Sequence, residues 1–171
     1  MVKTPQVVTM GPRVSTRAGA DGWVEAAPFR AHLRHLMAVA DLSATTVAVL
    51  VGISPRLAHR LLYGRGGRAL RRINPDTARK LLRVTPAEAR AVRRRRVPAQ
   101  ATVQHLHQLR DAGWTDGQLA QLVGVALPAL DVLLADSNAT CSQLGALRAA
   151  AEVSLLTSPF PPAQSWADCA A

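Results

Sequence analysis

The sequence predicts an all-α fold made of two tandem helix-turn-helix-like helical units followed by a C-terminal helix. Three observations lead there. Hydrophobic residues make up 49% of the chain but aromatic residues only 4%. The apolar share is mostly Ala, Leu and Val, which suits packed helices better than sheet. Apolar positions recur at helical rather than alternating spacing. One pattern also occurs twice. Ala48, Gly52-Ile53-Ser54, Ala58 and Leu61-Leu62 match Ala120, Gly124-Val125-Ala126, Leu130 and Leu133-Leu134 at a constant offset of 72 residues.

Residues 1–26 mix Pro, Gly, Ser and Thr without a sustained period and read as a flexible N-terminal arm, with Trp23 expected to anchor its end. Pro28 suits a first helical turn, and Phe29, Leu33, Leu36, Met37 and Ala40 give the first helix its inner face. Ser43 is a good N-cap for a helix through Val47, Ala48, Leu50 and Val51, which Gly52 ends. Ser54 caps the next helix, Pro55 starts it, and it runs to about Tyr63. Asn74-Pro75-Asp76 opens a fourth helix. Thr85-Pro86-Ala87-Glu88 is a capping box for a fifth, expected to end in Arg93, Arg94, Arg95 and Arg96. Val97-Pro98-Ala99 then breaks the chain and divides a basic domain, 27–97, from a second unit, 98–157.

The second unit repeats these signals. Val103, Leu106 and Leu109 form a helix ended by Ala112-Gly113. Thr115 and Gln118 make a capping box, Gly124 makes the turn, and Pro128 through Leu134 form the equivalent of the recognition helix. The lead-in helices also match, at an offset of 73 (His32-Leu33-Arg34-His35-Leu36 against His105-Leu106-His107-Gln108-Leu109). A C-terminal helix around 142–154 is expected to bury Leu144, Leu147, Ala151 and Leu155. The Pro-rich end, 158–171, reads as a flexible tail.

Charge separates the two units. Of 21 basic residues only Lys3 and Lys80 are lysine, and the net charge is +10. Residues 29–96 carry sixteen basic and three acidic side chains, a net +13. Residues 97–171 carry two and six, a net −4. A basic domain beside a weakly acidic one implies a polyanionic partner for the first alone. Arginine forks suit both phosphates and guanine edges.

In a helix-turn-helix a small residue is needed where the helices cross, here Ala48, and a left-handed residue in the turn, here Gly52. Ile53, Ala58 and Leu61 lock the second helix down. Pro55, Arg56, His59 and Arg60 then face outward near the helix start, from where side chains reach base edges in a major groove. Arg56 and Arg60 are the expected base or flanking-phosphate contacts, and Ser54 offers its hydroxyl or amide to phosphate. His59 is open to either a base contact or plain exposure. Arg65, Arg68, Arg71 and Arg72 lie in a Gly-rich stretch, Gly64 to Arg72. It could follow a minor groove, or act as a flexible wing that touches phosphates only. Arg93, Arg94, Arg95 and Arg96 could grip phosphates or simply complement a negative helix end.

The stretch from Gly52 to Leu62 resembles the turn and recognition helix of the lactose-repressor-family headpiece. Asn74-Pro75-Asp76-Thr77-Ala78-Arg79-Lys80-Leu81-Leu82 looks like that family's following helix. The resemblance covers about 40 residues and implies base contacts at Pro55, Arg56 and Arg60. The longer leading helix, the inserted basic stretch and the lack of a sugar-binding domain depart from it. The whole chain also resembles small Arg/Ala-rich helix-turn-helix proteins of actinobacteria and their phages.

The second copy has Leu127, Pro128, Asp131 and Val132 where the first has Pro55, Arg56, His59 and Arg60. An aspartate and apolar groups are poor phosphate partners, so 98–157 is expected to serve packing or homodimerisation, with an unusual second DNA reader as the alternative. Enzyme chemistry is not expected. The five histidines join no cysteine or carboxylate pair at ligand or catalytic spacing, although His32 and His35 either line a helix face or hold a metal. Cys141 and Cys169 read as free thiols. No cofactor and no metal are predicted. No apolar run approaches 18 residues, so the expected setting is cytoplasmic and nucleoid-associated, without a membrane. The expected function is sequence-specific binding of double-stranded DNA in transcription control, as a repressor or phage-type regulator. The alternatives are an RNA- or ribosome-associated binder and an adaptor to the transcription machinery.

Overall fold

A computed structural model describes residues 22–66, 68–136 and 138–157 of the 171. Most of the expected arm and the whole expected tail lie outside the described residues. The fold is all-α, with short two-stranded ladders between the helices.

The N-terminal unit begins with strand β1 (Val24–Glu25) and helix α1 (Ala27–Ala40). Helices α2 (Ala44–Val51) and α3 (Pro55–Tyr63) follow. Strand β2 (Arg72–Ile73) pairs antiparallel with β1, Val24 opposite Ile73. Helices α4 (Pro75–Arg83) and α5 (Pro86–Ala91) complete the unit. Its core holds Leu33, Leu36, Val47, Ala48, Ala58, Leu61, Ile73 and Leu81. The helix starts use the expected caps. Ser43 Oγ accepts from Thr46 N, Ser54 Oγ from Leu57 N, Asn74 Oδ1 from Asp76 N, and Thr85 and Glu88 form a reciprocal capping box. His32 Nε2 lies 3.0 and 3.1 Å from the carbonyl oxygens of Leu81 and Val84. It ties α1 to the end of α4.

The C-terminal unit runs through strand β3 (Arg96–Pro98), helices α6 (Gln100–Asp111), α7 (Asp116–Val123) and α8 (Leu127–Ala135), strand β4 (Thr140–Ser142) and helix α9 (Gln143–Leu156). β3 and β4 pair antiparallel, Val97 opposite Cys141. The order strand, three helices, strand, helix therefore occurs twice. The match reaches single backbone groups. Gly52 (φ 76°, ψ 38°) and Gly124 (φ 77°, ψ 43°) take the same left-handed turn. Ile53 N donates to Ala48 O, and Val125 N to Ala120 O. Ala26 and Ala99 are both buried, and their amides donate to the carbonyls of Arg71 and Ala139.

The expected boundaries shift in four places. Val24 and Ala26, assigned to the arm, belong to the fold through β1. Trp23 does not anchor that end, since it is 55% exposed; Val24 packs on the core instead. The fifth helix stops at Ala91, not at Arg96. Arg93 turns back to Ala40 and Asp41 at the end of α1, and the backbone turns at 92–94 before Arg96 enters β3. Val97-Pro98, where the sequence reading divides the two units, is a paired strand that opens the second one. The two units are also bridged. α9 packs on α6 and α7, and also on α2 and α3, with Leu144 set against the N-terminal core. In α9 the buried positions are Gly145, Ala149 and Ala151. Leu147 is half-buried and Leu155 is exposed, contrary to the expected face. A Cβ on Gly145 would stand 2.6 Å from Val123 O, so the glycine lets α9 lie close on α7.

Candidate nucleic-acid interface

Helix α3 is anchored by one face and open on the other. Ala58, Leu61 and Leu62 are buried, which places Arg56 and Arg60 in solvent and His59 at the margin. Ser54 is exposed at the N-cap and Pro55 half-buried beside it. The Ser54 oxygen accepts the Leu57 amide, which leaves its hydroxyl proton available to an outside acceptor. Tyr63, which the sequence reading used only as a helix end, is 61% exposed. Its ring lies 4.7 Å from that of His59, tilted by 42°. The spacing 56, 59, 60, 63 is a helical face, so the tyrosine was within reach of periodicity. The outer face of α3 thus presents two guanidiniums, an imidazole and a phenol.

Two arginines of α1 secure the far end of α3. Arg30 donates from Nε to Leu61 O (2.6 Å) and from Nη2 to Leu70 O (2.8 Å). Arg34 Nη2 donates to Leu62 O (3.3 Å). Cations at a helix C-terminus complement its unpaired carbonyls. The first of these ties also reaches the Gly-rich stretch, so α3 and that stretch share an anchor.

Within the stretch the chain closes a tight hairpin at Arg65 and Arg68. Arg65 and Arg68 exchange both backbone hydrogen bonds, at 3.0 and 3.1 Å. Gly64 (φ 78°) makes the entry. A Cβ there would stand 2.2 Å from Arg68 O, so only glycine fits. Gly66 also has positive φ, 56°. Arg65, Arg68, Arg71 and Arg72 are all exposed, and Arg72 continues into β2. The hairpin therefore holds two guanidiniums beside the end of α3, and Arg71 and Arg72 follow on the strand that leaves it. The corresponding connection in the C-terminal unit, Asp136 to Ala139, is four residues shorter and carries no basic residue.

The structure divides the run from Arg93 to Arg96. Arg93 donates to Ala40 O, Asp41 O and the Asp41 carboxylate (2.7 Å), closing the end of α1. Arg96 donates to Thr140 O and lies along the β3–β4 ladder. Arg94 and Arg95 are exposed. Lys80 donates to Gly52 O, bracing the helix-turn-helix turn. Two cations counted as interface from the sequence, Arg93 and Arg96, thus hold the fold as well, while their charge still adds to the local field.

On α8 the equivalent face is apolar. Leu127 is 52% and Val132 63% exposed, as the sequence implied, with Asp131 between them. An open cleft of about 510 Å³ separates the N-terminal end of α2 from α7 and α9; Trp114, Gln118, Arg148 and Glu152 line it. Burial pushes the Glu152 carboxyl above its ordinary range. Among the described residues no three His, Cys, Asp or Glu side chains cluster to hold a metal ion, and no single helix is long and apolar enough to cross a membrane. No family model matches the chain, and neither a curated protein nor a solved structure matches it.

Proposed function

We propose that the protein is a sequence-specific double-stranded DNA-binding regulator that reads the major groove with α3. The observation that carries this reading is the pairing of two features at one end of the molecule. An outward helix face bearing Arg56, His59, Arg60 and Tyr63 follows a helix-turn-helix turn, and a glycine-closed arginine hairpin sits at its far end. Side chains at the start of such a helix reach base edges. Arg56 and Arg60 take the base or flanking-phosphate contacts, and Ser54 with the amide end of α3 takes a phosphate. Arg65 and Arg68 enter the neighbouring minor groove or its phosphates, with Arg71, Arg72, Arg94 and Arg95 adding field. Occupancy of a promoter by such a unit gives repression in the DNA-containing compartment.

Selection of bound duplexes from a random pool tests the reading, followed by fluorescence anisotropy on the winner. A recurring motif is expected, with duplex DNA preferred over structured RNA. R56A and R60A should each weaken the selected site by about 1–3 kcal/mol while leaving random DNA less affected. Absence of a recurring motif, or equal binding to RNA, overturns the proposal.

A further inference from the structure

We infer that the cleft between the two units binds a free α-amino acid with an apolar side chain, held by its ammonium and its carboxylate at once. The inference goes beyond the duplex-DNA reading and does not depend on it. The cleft lies where the start of α2 faces α7 and α9, and it holds about 510 Å³. Small-molecule sites fall at about 300–1,000 Å³ and favour the seams between units. The half-buried Trp114 and Leu122 line it, an apolar bed for a side chain.

Two charges on α9 select the ligand. Arg148 and Glu152 both line the cleft, four residues apart and so on one helix face. Neither makes a hydrogen bond or an ion pair with any described residue, and they do not close on each other. Arg148 stands in solvent at the rim, whereas Glu152 is half-buried. Burial pushes the Glu152 carboxyl up, and no cation offsets this. A carboxylate half out of water without a donor is costly, and a bound ammonium would remove that cost. Asp41 also lines the cleft, but Arg93 already holds its carboxylate at 2.7 Å. The cleft therefore offers one cation and one anion, about a helical turn apart.

An α-amino acid carries the complementary pair of charges and lays its side chain on Trp114. A simple amine would leave Arg148 unused, and a simple acid would meet Glu152 as a like charge. Gln118, on the same wall, has its Oε1 engaged by the Thr115 amide and keeps its own amide N–H groups to donate. α2 belongs to the first unit, α7 and α9 to the second. A ligand seated here touches both units, and so would stabilise the whole chain rather than one half.

Thermal unfolding of the full chain with each common L-amino acid is the first measurement. L-Leucine or L-phenylalanine at about ten times its Kd should raise the single transition by about 3–6 °C. Fluorescence of Trp114 in a W23F, W166F background should report the same binding as a saturable change. E152Q and R148Q should each weaken it at least ~10-fold. The unliganded Tm of E152Q should stay at or above that of wild type, because a neutral amide is easier to bury, so lost binding there is not lost fold. 2-Phenylethylamine and 3-phenylpropanoate, each with one of the two charges, should bind at least ~10-fold more weakly than L-phenylalanine. The site is overturned if no apolar L-amino acid moves the transition or the Trp114 signal, or if E152Q and R148Q bind as wild type does. Equal binding of 2-phenylethylamine would overturn it too, leaving a site for organic cations only.

Discussion

Arg30 connects two parts of the candidate interface at the level of a single side chain. Its fork reaches Leu61 O at the end of α3 and Leu70 O at the base of the hairpin. Arg30→Met should cost about 2 kcal/mol in chemical denaturation, because two carbonyls lose a charged donor. Arg30→Lys should recover little, since an ammonium cannot span both acceptors as a planar fork does. Gly64 and Gly52 both have positive φ, yet they differ in surroundings. A Cβ at Gly52 meets nothing within 4 Å, whereas one at Gly64 meets backbone at 2.2 Å. Gly52→Ala should therefore cost about 1 kcal/mol from backbone strain alone. Gly64→Ala should cost more and open the hairpin, read as lost amide protection at Arg65 and Arg68. The exposure of Arg56 and Arg60 was legible from the sequence, because burial of Ala58 and Leu61 leaves them one direction to face; Pro55 and His59, expected beside them, are only partly exposed. The anchoring role of Arg30 was not, since its acceptors lie 31 and 40 residues away.

At the scale of elements, caps and turns were the most legible features. Ser43, Ser54, Asn74, Thr85 and Thr115 all accept the amides that their local patterns assign. Such signals act within three residues and need no tertiary context. α8 lacks this cap: Ala126 has the N-cap backbone (φ −74°, ψ 153°) but no side-chain acceptor. Ala126→Ser should thus raise stability by about 1 kcal/mol in thermal or urea unfolding. The short strands were missed because each holds only two or three residues and alternates no visible pattern. A signal did exist in Val24 and Ala26 against Val97 and Ala99, which repeat at the 73-residue offset of the lead-in helices. The misplaced end of α5 has a different cause. The four arginines read as one helical run, but Arg93 turns back to Asp41 and the end of α1. That partner is distant in sequence.

At the scale of the molecule, α9 decides how the two units behave. It closes the C-terminal core through Ala149 and also sets Leu144 against the N-terminal one. Leu144→Ala should lower the stability of both units together by about 2 kcal/mol, seen as a single transition that shifts in circular dichroism and in the Trp114 signal alike. Gly145→Val should instead strike the C-terminal unit, because its side chain would push α9 off α7 at Val123 O. Charge is also a whole-molecule property. The segment 29–96 holds +13 against −4 beyond it. Binding to duplex DNA should therefore weaken steeply with salt, by about 0.9 log units per tenfold salt for each phosphate contacted. Neutralising Arg65 and Arg68 should reduce that slope by up to about two contacts. An unchanged slope would remove the hairpin from the interface.

The sequence by itself determined the helical class, the repeated helical pattern, the caps, and the opposite chemistry of α3 and α8. All of these follow from local spacing, capping and side-chain type, which act over one or two helical turns. Only the tertiary structure decided which cations brace the fold and which stand exposed, that the Gly-rich stretch closes into a hairpin, and that α9 joins the two units. The bracing cations depend on carbonyls tens of residues away, the union of the units on small residues such as Gly145 allowing close approach, and the hairpin on the backbone approach of Gly64 to Arg68. No local pattern carries that information.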